Sequence, residues 1–298
     1  MSLFTKQKKA TLVSTSVAAF LTVGKLALGI ASGSVAVLAS AVDSVLDMFV
    51  SIFNYFAITN SEKPADEHFN YGRGKIEALA SVIEGTIISI SGLFLLYQAF
   101  KKFINGEIST YLELSLIVMV ISLCITIVLV IYLNRIAKET NSMVVKADAL
   151  HYKTDVYSNV AVLVSLTLVH LTNYEIFDVI VGAGISFYII YSAYELIKEG
   201  VLVLLDKALD EELVEKIRAL LLCEKETNAY HLLKTREAGH QTFVDVHLVF
   251  DCLITLMAAH NVAHRIEDKI KELDHKREWI ITIHMDPYDD LEIDKEEK

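Results

Sequence analysis

The sequence predicts an α-helical membrane protein, a six-transmembrane-helix bundle followed by a small cytoplasmic α+β domain of order helix, strand, strand, helix, strand. Two observations carry this. The chain of 298 residues is 53% hydrophobic with only two prolines, and its mean hydropathy of +0.44 is too high for an ordinary soluble domain. After about Asp206 the composition turns from lipid-soluble to mixed, with enough length for a domain that has its own core. The expected boundaries are 1–205 for the membrane domain, 206–290 for the cytoplasmic domain and 291–298 for an acidic tail.

Residues 114–133 and 156–174 are unbroken uncharged runs, each close to the roughly 20 residues that cross the hydrocarbon of a bilayer. Four further spans are expected at about 11–32, 34–58, 78–103 and 177–195. Lys25, Asp43, Asp47 and Glu84 interrupt their apolar pattern, as in helices that line a path rather than face lipid. The first apolar segment is too long for a removable signal peptide, lacks a small-residue cleavage site, and is expected to stay. With the N-terminus inside, the inner segments carry Lys6, Lys8, Lys9, Lys63, Arg73, Lys75, Arg135, Lys138 and Lys146, against Lys101 and Lys102 outside. Both termini are therefore expected in the cytoplasm.

Asp43 with Asp47, and His151 with Asp155, stand at i, i+4 spacing at or beside two of these helices. Partners four apart share a helix face, so two such helices facing each other present four ligands to one point. Three carboxylates and one imidazole suit a tetrahedral Zn(II) site and tolerate Cd(II) or Fe(II). An ionised Asp at a helix centre costs about 2.5–3.5 kcal/mol on insertion scales, so such residues are read as functional.

In the C-terminal domain, residues 209–223 read as a helix with Leu213, Ile217, Leu220 and Leu221 on one face. Residues 230–236 and 242–250 read as a hairpin around Ala238, Gly239 and His240, with Val244, Val246, Leu248 and Phe250 facing the core. A helix over about 255–273 buries Ala259, Val262, Ile266, Ile270 and Leu273, and places His260 and His264 on another face one turn apart. In the last strand His284 and Asp286 point away from Ile281 and Ile283. These could share a metal with His247 or His231. Seven of the ten histidines fall here, and histidine is the commonest metal-binding side chain.

The net charge of −11 comes largely from the C-terminal third and implies no nucleic-acid partner. Cys124, Cys223 and Cys252 lack metal or disulfide spacing.

Five segments together resemble the cation diffusion facilitator family over essentially the whole chain. They are SAVDSVLD at Asp43 and Asp47, PADEHFNYGRGKIEALA after the second span, KADALHYKTDVYSN at His151 and Asp155, LLDKAL at Asp206, and IHMDP at the end. The resemblance implies a homodimer with six spans per protomer and a ferredoxin-like αββαβ domain similar to a metallochaperone. It implies transport ligands Asp43, Asp47, His151 and Asp155, and a cytoplasmic binuclear site of His231, His247, His260, His284 and Asp286, the last bridging two metals. Lys75 and Asp206 match a charge interlock at the dimer interface. A third metal site known in this family, after the second span, uses an Asp and two histidines. Here Asp66 is kept, Phe69 and Arg73 replace the histidines, and His68 could substitute only if the loop shifted. That site is expected to be absent or weak, with Arg73 supplying a fixed positive charge.

The expected function is export of Zn(II), with Fe(II) and Cd(II) as further substrates, across the cytoplasmic (inner) membrane in exchange for protons. Histidine and carboxylates bind metal only when deprotonated, so protons and metal compete for one quartet, and alternating access couples their fluxes. Zinc or a similar ion is also expected as a structural or regulatory ligand of the tail. A membrane-anchored dinuclear hydrolase would leave the intramembrane quartet unexplained, and a non-transporting sensor would not need all four ligands.

Overall fold

The computed structural model describes residues 3–32, 35–105, 113–172, 174, 176–275 and 277–289. The expected acidic tail at 291–298 lies outside the described residues. The chain divides into two compact units, Met1–Val201 and Leu202–Lys298.

The first unit is built from α1 (Leu3–Ser32), α2 (Val35–Ser61), α3 (Lys75–Asn105), α4 (Glu113–Thr140), α5 (Met143–Thr172) and α6 (Ile176–Leu204), whose last three residues fall in the second. Among the described residues, five of these helices are long and apolar enough to cross a membrane. The remaining one, α5, has 30 residues, but its first half carries Lys146, Asp148, His151, Lys153 and Asp155. That polarity belongs to a helix surrounded by other helices. Val144, Val145, Ala147, Asp148 and Ala149 are all buried.

Buried positions are rich in small residues, among them Ala10, Ala18, Ala41, Ala57, Ala78 and Ala80, while Phe20, Phe49, Phe94, Val128 and Phe187 are exposed. This is an inside-out pattern relative to a water-soluble protein. Lipid replaces water outside, and small side chains let backbones approach inside. Glycines bring α3 and α6 close together. A Cβ added at Gly85 would lie 2.7 Å from Ile197, and one at Gly200 would lie 2.7 Å from Val82 and 3.0 Å from the Ala78 carbonyl. Gly200→Val should therefore force α6 off α3. The expected loss is about 1–3 kcal/mol, read as a lower thermal midpoint in detergent.

A short turn sets the start of α5. Asn141, at φ 53°, ends α4 in the left-handed conformation and donates its N–H to the Ala137 carbonyl at 2.8 Å. Ser142 then accepts the Val145 N–H at 3.5 Å. His151 consequently sits about 12 Å along α5, at 1.5 Å per residue, and Asp47 and Asp155 both lie near the middle of their helices.

Just past α2, Glu62 sits half-buried beside Glu77. Burial, reinforced by the Glu77 charge and opposed by Lys8, pushes its carboxyl from 4.5 up to about 7. The folded protein therefore holds this proton more tightly than the unfolded chain. The resulting stabilisation is fully present below pH 4.5 and is lost as pH rises through about 7. Glu62→Gln should flatten that decline in a series of melting curves across the window.

The second unit comprises α7 (Glu211–Leu222), β1 (Ala229–Ala238), β2 (Gln241–Val249), α8 (Leu256–Glu272) and β3 (Glu278–Asp286). The sheet order is β1-β2-β3, with β1 and β2 antiparallel and β2 and β3 parallel. Gly239, at φ 64°, opens the two-residue hairpin turn, where a left-handed residue matches the strand twist. Val244, Val246, Leu248 and Phe250 meet Ile217 and Leu221 of α7 and Val262, Ile266 and Ile270 of α8 in one core. Thr255 caps α8 by accepting the Ala258 N–H at 3.3 Å.

Candidate metal centres

In the helical unit, Asp47, His151 and Asp155 each offer a ligand atom, all within 4.8 Å of one another. Nε2 of His151 lies 3.2 Å from Oδ1 of Asp47. His151 is buried, while Asp47 is half-exposed. Asp43, one turn earlier on α2, is exposed and stands outside this group. The three gathered residues supply two carboxylates and an imidazole.

Lys25 of α1 completes the surroundings. Its ammonium donates to Oγ of Ser44 at 2.8 Å and interacts electrostatically with Asp47, Asp155 and Asp43. Below the site, Ser51 and Tyr152 hydroxyls meet at 2.7 Å, and the Asn54 amide donates to Oδ1 of Asp148 at 3.2 Å. These contacts tie α2 to α5 and set the rotation at which Asp47 faces His151.

In the second unit, the strand register places three histidines in one row. His231 pairs with His247, and His247 pairs with His284, so the three project from adjacent strands on one face. Their rings follow at centroid spacings of 4.9 and 4.6 Å. The register shifts between His231 and Lys234, with Leu232 at φ 50°, a bulge of the kind that re-aims a side chain. Asp286, 2% exposed, receives all three imidazoles. Nε2 of His231 lies 3.1 Å and Nδ1 of His247 3.0 Å from its Oδ2, and Nε2 of His284 lies 3.0 Å from its Oδ1.

His260 does not join this cluster. It is exposed on α8 with its ring edge-on to that of His264 at 4.4 Å. Asp206, which accepts from Arg236 at 3.4 Å, belongs to the second unit, and Lys75 opens α3 in the first.

The loop after α2 is organised around the Asp66 carboxylate. Asp66 accepts the backbone N–H groups of His68 and Phe69 at 3.0 and 2.9 Å, and Arg73 donates to its other oxygen at 2.5 Å. The Arg73 guanidinium covers the Phe69 ring at 4.3 Å. Together these bonds hold the Asp66 carboxyl below its ordinary range. His68 contributes its backbone to this clamp and its side chain is exposed.

Residues 11–205 match the family described as the cation efflux transmembrane domain, and residues 209–288 match the cation efflux protein cytoplasmic domain. The chain belongs to the cation efflux family. The cation-efflux pump FieF of Serratia proteamaculans is 34% identical over 94% of this chain and 92% of its own length. The FieF of Yersinia enterocolitica is 34% identical over the same shares. A solved structure of CzrB in its Zn form is 32% identical over 28% of this chain and 92% of its own, with a TM-score of 0.26. As a member of the cation efflux family the chain is a membrane transporter of divalent metal cations and not an enzyme.

Proposed function

We propose that this cation efflux protein exports Zn(II), with Fe(II) and Cd(II) as further substrates, by alternating access in exchange for protons. The observation that carries this reading is the meeting of Asp47, His151 and Asp155 from the middles of two long helices. A mixed oxygen and nitrogen donor set favours borderline divalent ions over Mg(II) or Ca(II). Each donor must be deprotonated to bind, so metal and protons are alternative occupants of the same atoms. Asp43 is the fourth ligand, one turn along the same helix, and joins when α2 shifts between the inward-facing and outward-facing states. FieF is described as a cation-efflux pump, which agrees with the direction.

The cytoplasmic unit holds a resident metal pair. The donor chemistry fits, since a carboxylate buried among three imidazole nitrogens needs cations or protons between them. His231, His247 and His284 would supply nitrogens, and Asp286, facing them through both oxygens, would bridge. Bound there, the ions would cross-link three strands and stiffen the unit. His260 becomes a ligand only if its ring leaves His264. The protein acts as a homodimer, and Lys75 and Asp206 are the charge interlock of the dimer. At Asp66 the Arg73 guanidinium takes the place a metal would fill, with His68 left aside. The protein sits in the cytoplasmic membrane with both termini inside.

The deciding measurement is the pH change in proteoliposomes when Zn(II) is added to one side. Proton movement opposite to metal supports antiport, and metal flux at constant internal pH overturns it.

A further inference from the structure

The helical unit contains a second ionisable group that the metal centres do not use. Glu84 of α3 is completely buried, and neither of its carboxyl oxygens accepts a hydrogen bond. Oδ2 of Asp148 and Oδ1 of Asn54 are likewise buried without a partner. The Asn54 side chain lies against Glu84, and its amide nitrogen also donates to Oδ1 of Asp148 at 3.2 Å. The groups in electrostatic reach of Glu84 are Asp148 and His151, both on α5. From α6, Ile197, Ala193 and Leu196 come nearest to the adjoining Gly85.

Glu77, two turns away on α3, is also buried but fully served. Ser142 donates to one of its oxygens at 2.6 Å and Ser61 to the other at 3.4 Å. The contrast makes Glu84 the anomaly. A buried carboxylate without donors costs several kcal/mol, and a second carboxylate beside it adds repulsion. Something positive must occupy this pocket, and a proton is the smallest candidate.

We propose that Glu84, packed against Asn54 and Asp148, is a proton-binding site distinct from the metal ligands, loaded while the transport site is empty and discharged when a divalent ion binds. The inference rests on the antiport reading and deepens it. The arriving ion brings two positive charges to His151 and its partners. The field reaching Glu84 then favours its carboxylate, and the O–H proton departs toward the aqueous side open at that moment. When the ion leaves, a proton returns to the same oxygen. Coupling is through space, so Glu84 need not touch the metal.

The test counts protons released per metal bound by the full-length protein in weakly buffered detergent solution. Glu84→Gln, which mimics the protonated form, should lose one proton per transport-site ion while retaining metal binding, and Glu84→Asp should restore it. An unchanged count in Glu84→Gln overturns the assignment and leaves antiport standing. No release from the wild type removes antiport and this site together. Should the variants fail to fold, infrared difference spectra of the wild type decide. A protonated-carboxyl carbonyl band that vanishes on Zn(II) addition supports the site, and its absence from the metal-free protein overturns it.

Discussion

Asp47→Ala is expected to abolish metal uptake into inside-out vesicles while leaving the helical unit folded. Asp47 is the member of the α2 pair that reaches His151, at 3.2 Å, so its loss removes a ligand and the group that orients the imidazole. Outer-shell partners of bound metals are typically worth about 10–100-fold in affinity or activity, and a direct ligand should exceed that. Folding should survive because the α2 contacts with α5 through Ser51 and Asn54 are separate. Wild-type flux in Asp47→Ala would sink the transport site. Asp43→Ala provides a graded comparison. It should retain metal binding in the conformation described here, where Asp43 stands apart, and fail in turnover, where the fourth ligand is needed.

Asp286→Ala should strip the cytoplasmic unit of its metal. Three imidazoles converge on this one carboxylate, and no other acid joins the described cluster. Elemental analysis of the purified full chain should then show fewer bound ions per protein. In the wild type, saturating Zn(II) at roughly 100 times its dissociation constant stabilises the folded form by about 2.7 kcal/mol per site. That metal-induced rise in thermal midpoint should vanish in the variant, while the metal-free midpoints stay closer together. An equal rise in both proteins would place the resident metal elsewhere, with His260 and His264 the next pair to examine.

Much of each centre was legible because helix and strand periods are short-range. The i, i+4 spacing of His151 and Asp155 and the alternation of His284 with Asp286 follow from 3.6 and 2.0 residues per repeat. The sheet then aligned His231, His247 and His284 in one row, a register no single strand encodes. Leu232 in the left-handed conformation was not foreseeable, since leucine has no preference for it. His260 was expected in the cluster from the resemblance, yet α8 turns it toward His264. Lys25 and Glu84 were legible as breaks in apolar segments, but their neighbours were not. Asp148 and Asn54 were missed, although Asp148 lies one turn before His151 on the same face, a spacing that could have flagged it.

Composition and periodicity by themselves determined that this chain is a membrane helical bundle with a small α+β tail, and which side chains share a face of each element. Only the tertiary structure decided which faces meet. It brought Asp47 to His151 and left Asp43 outside, put Arg73 on Asp66, and left Glu84 without a donor. The physical reason is that hydrophobic burial and backbone hydrogen bonding act along the chain at fixed repeats. Helix rotation and strand register, by contrast, are settled by packing between segments far apart in sequence.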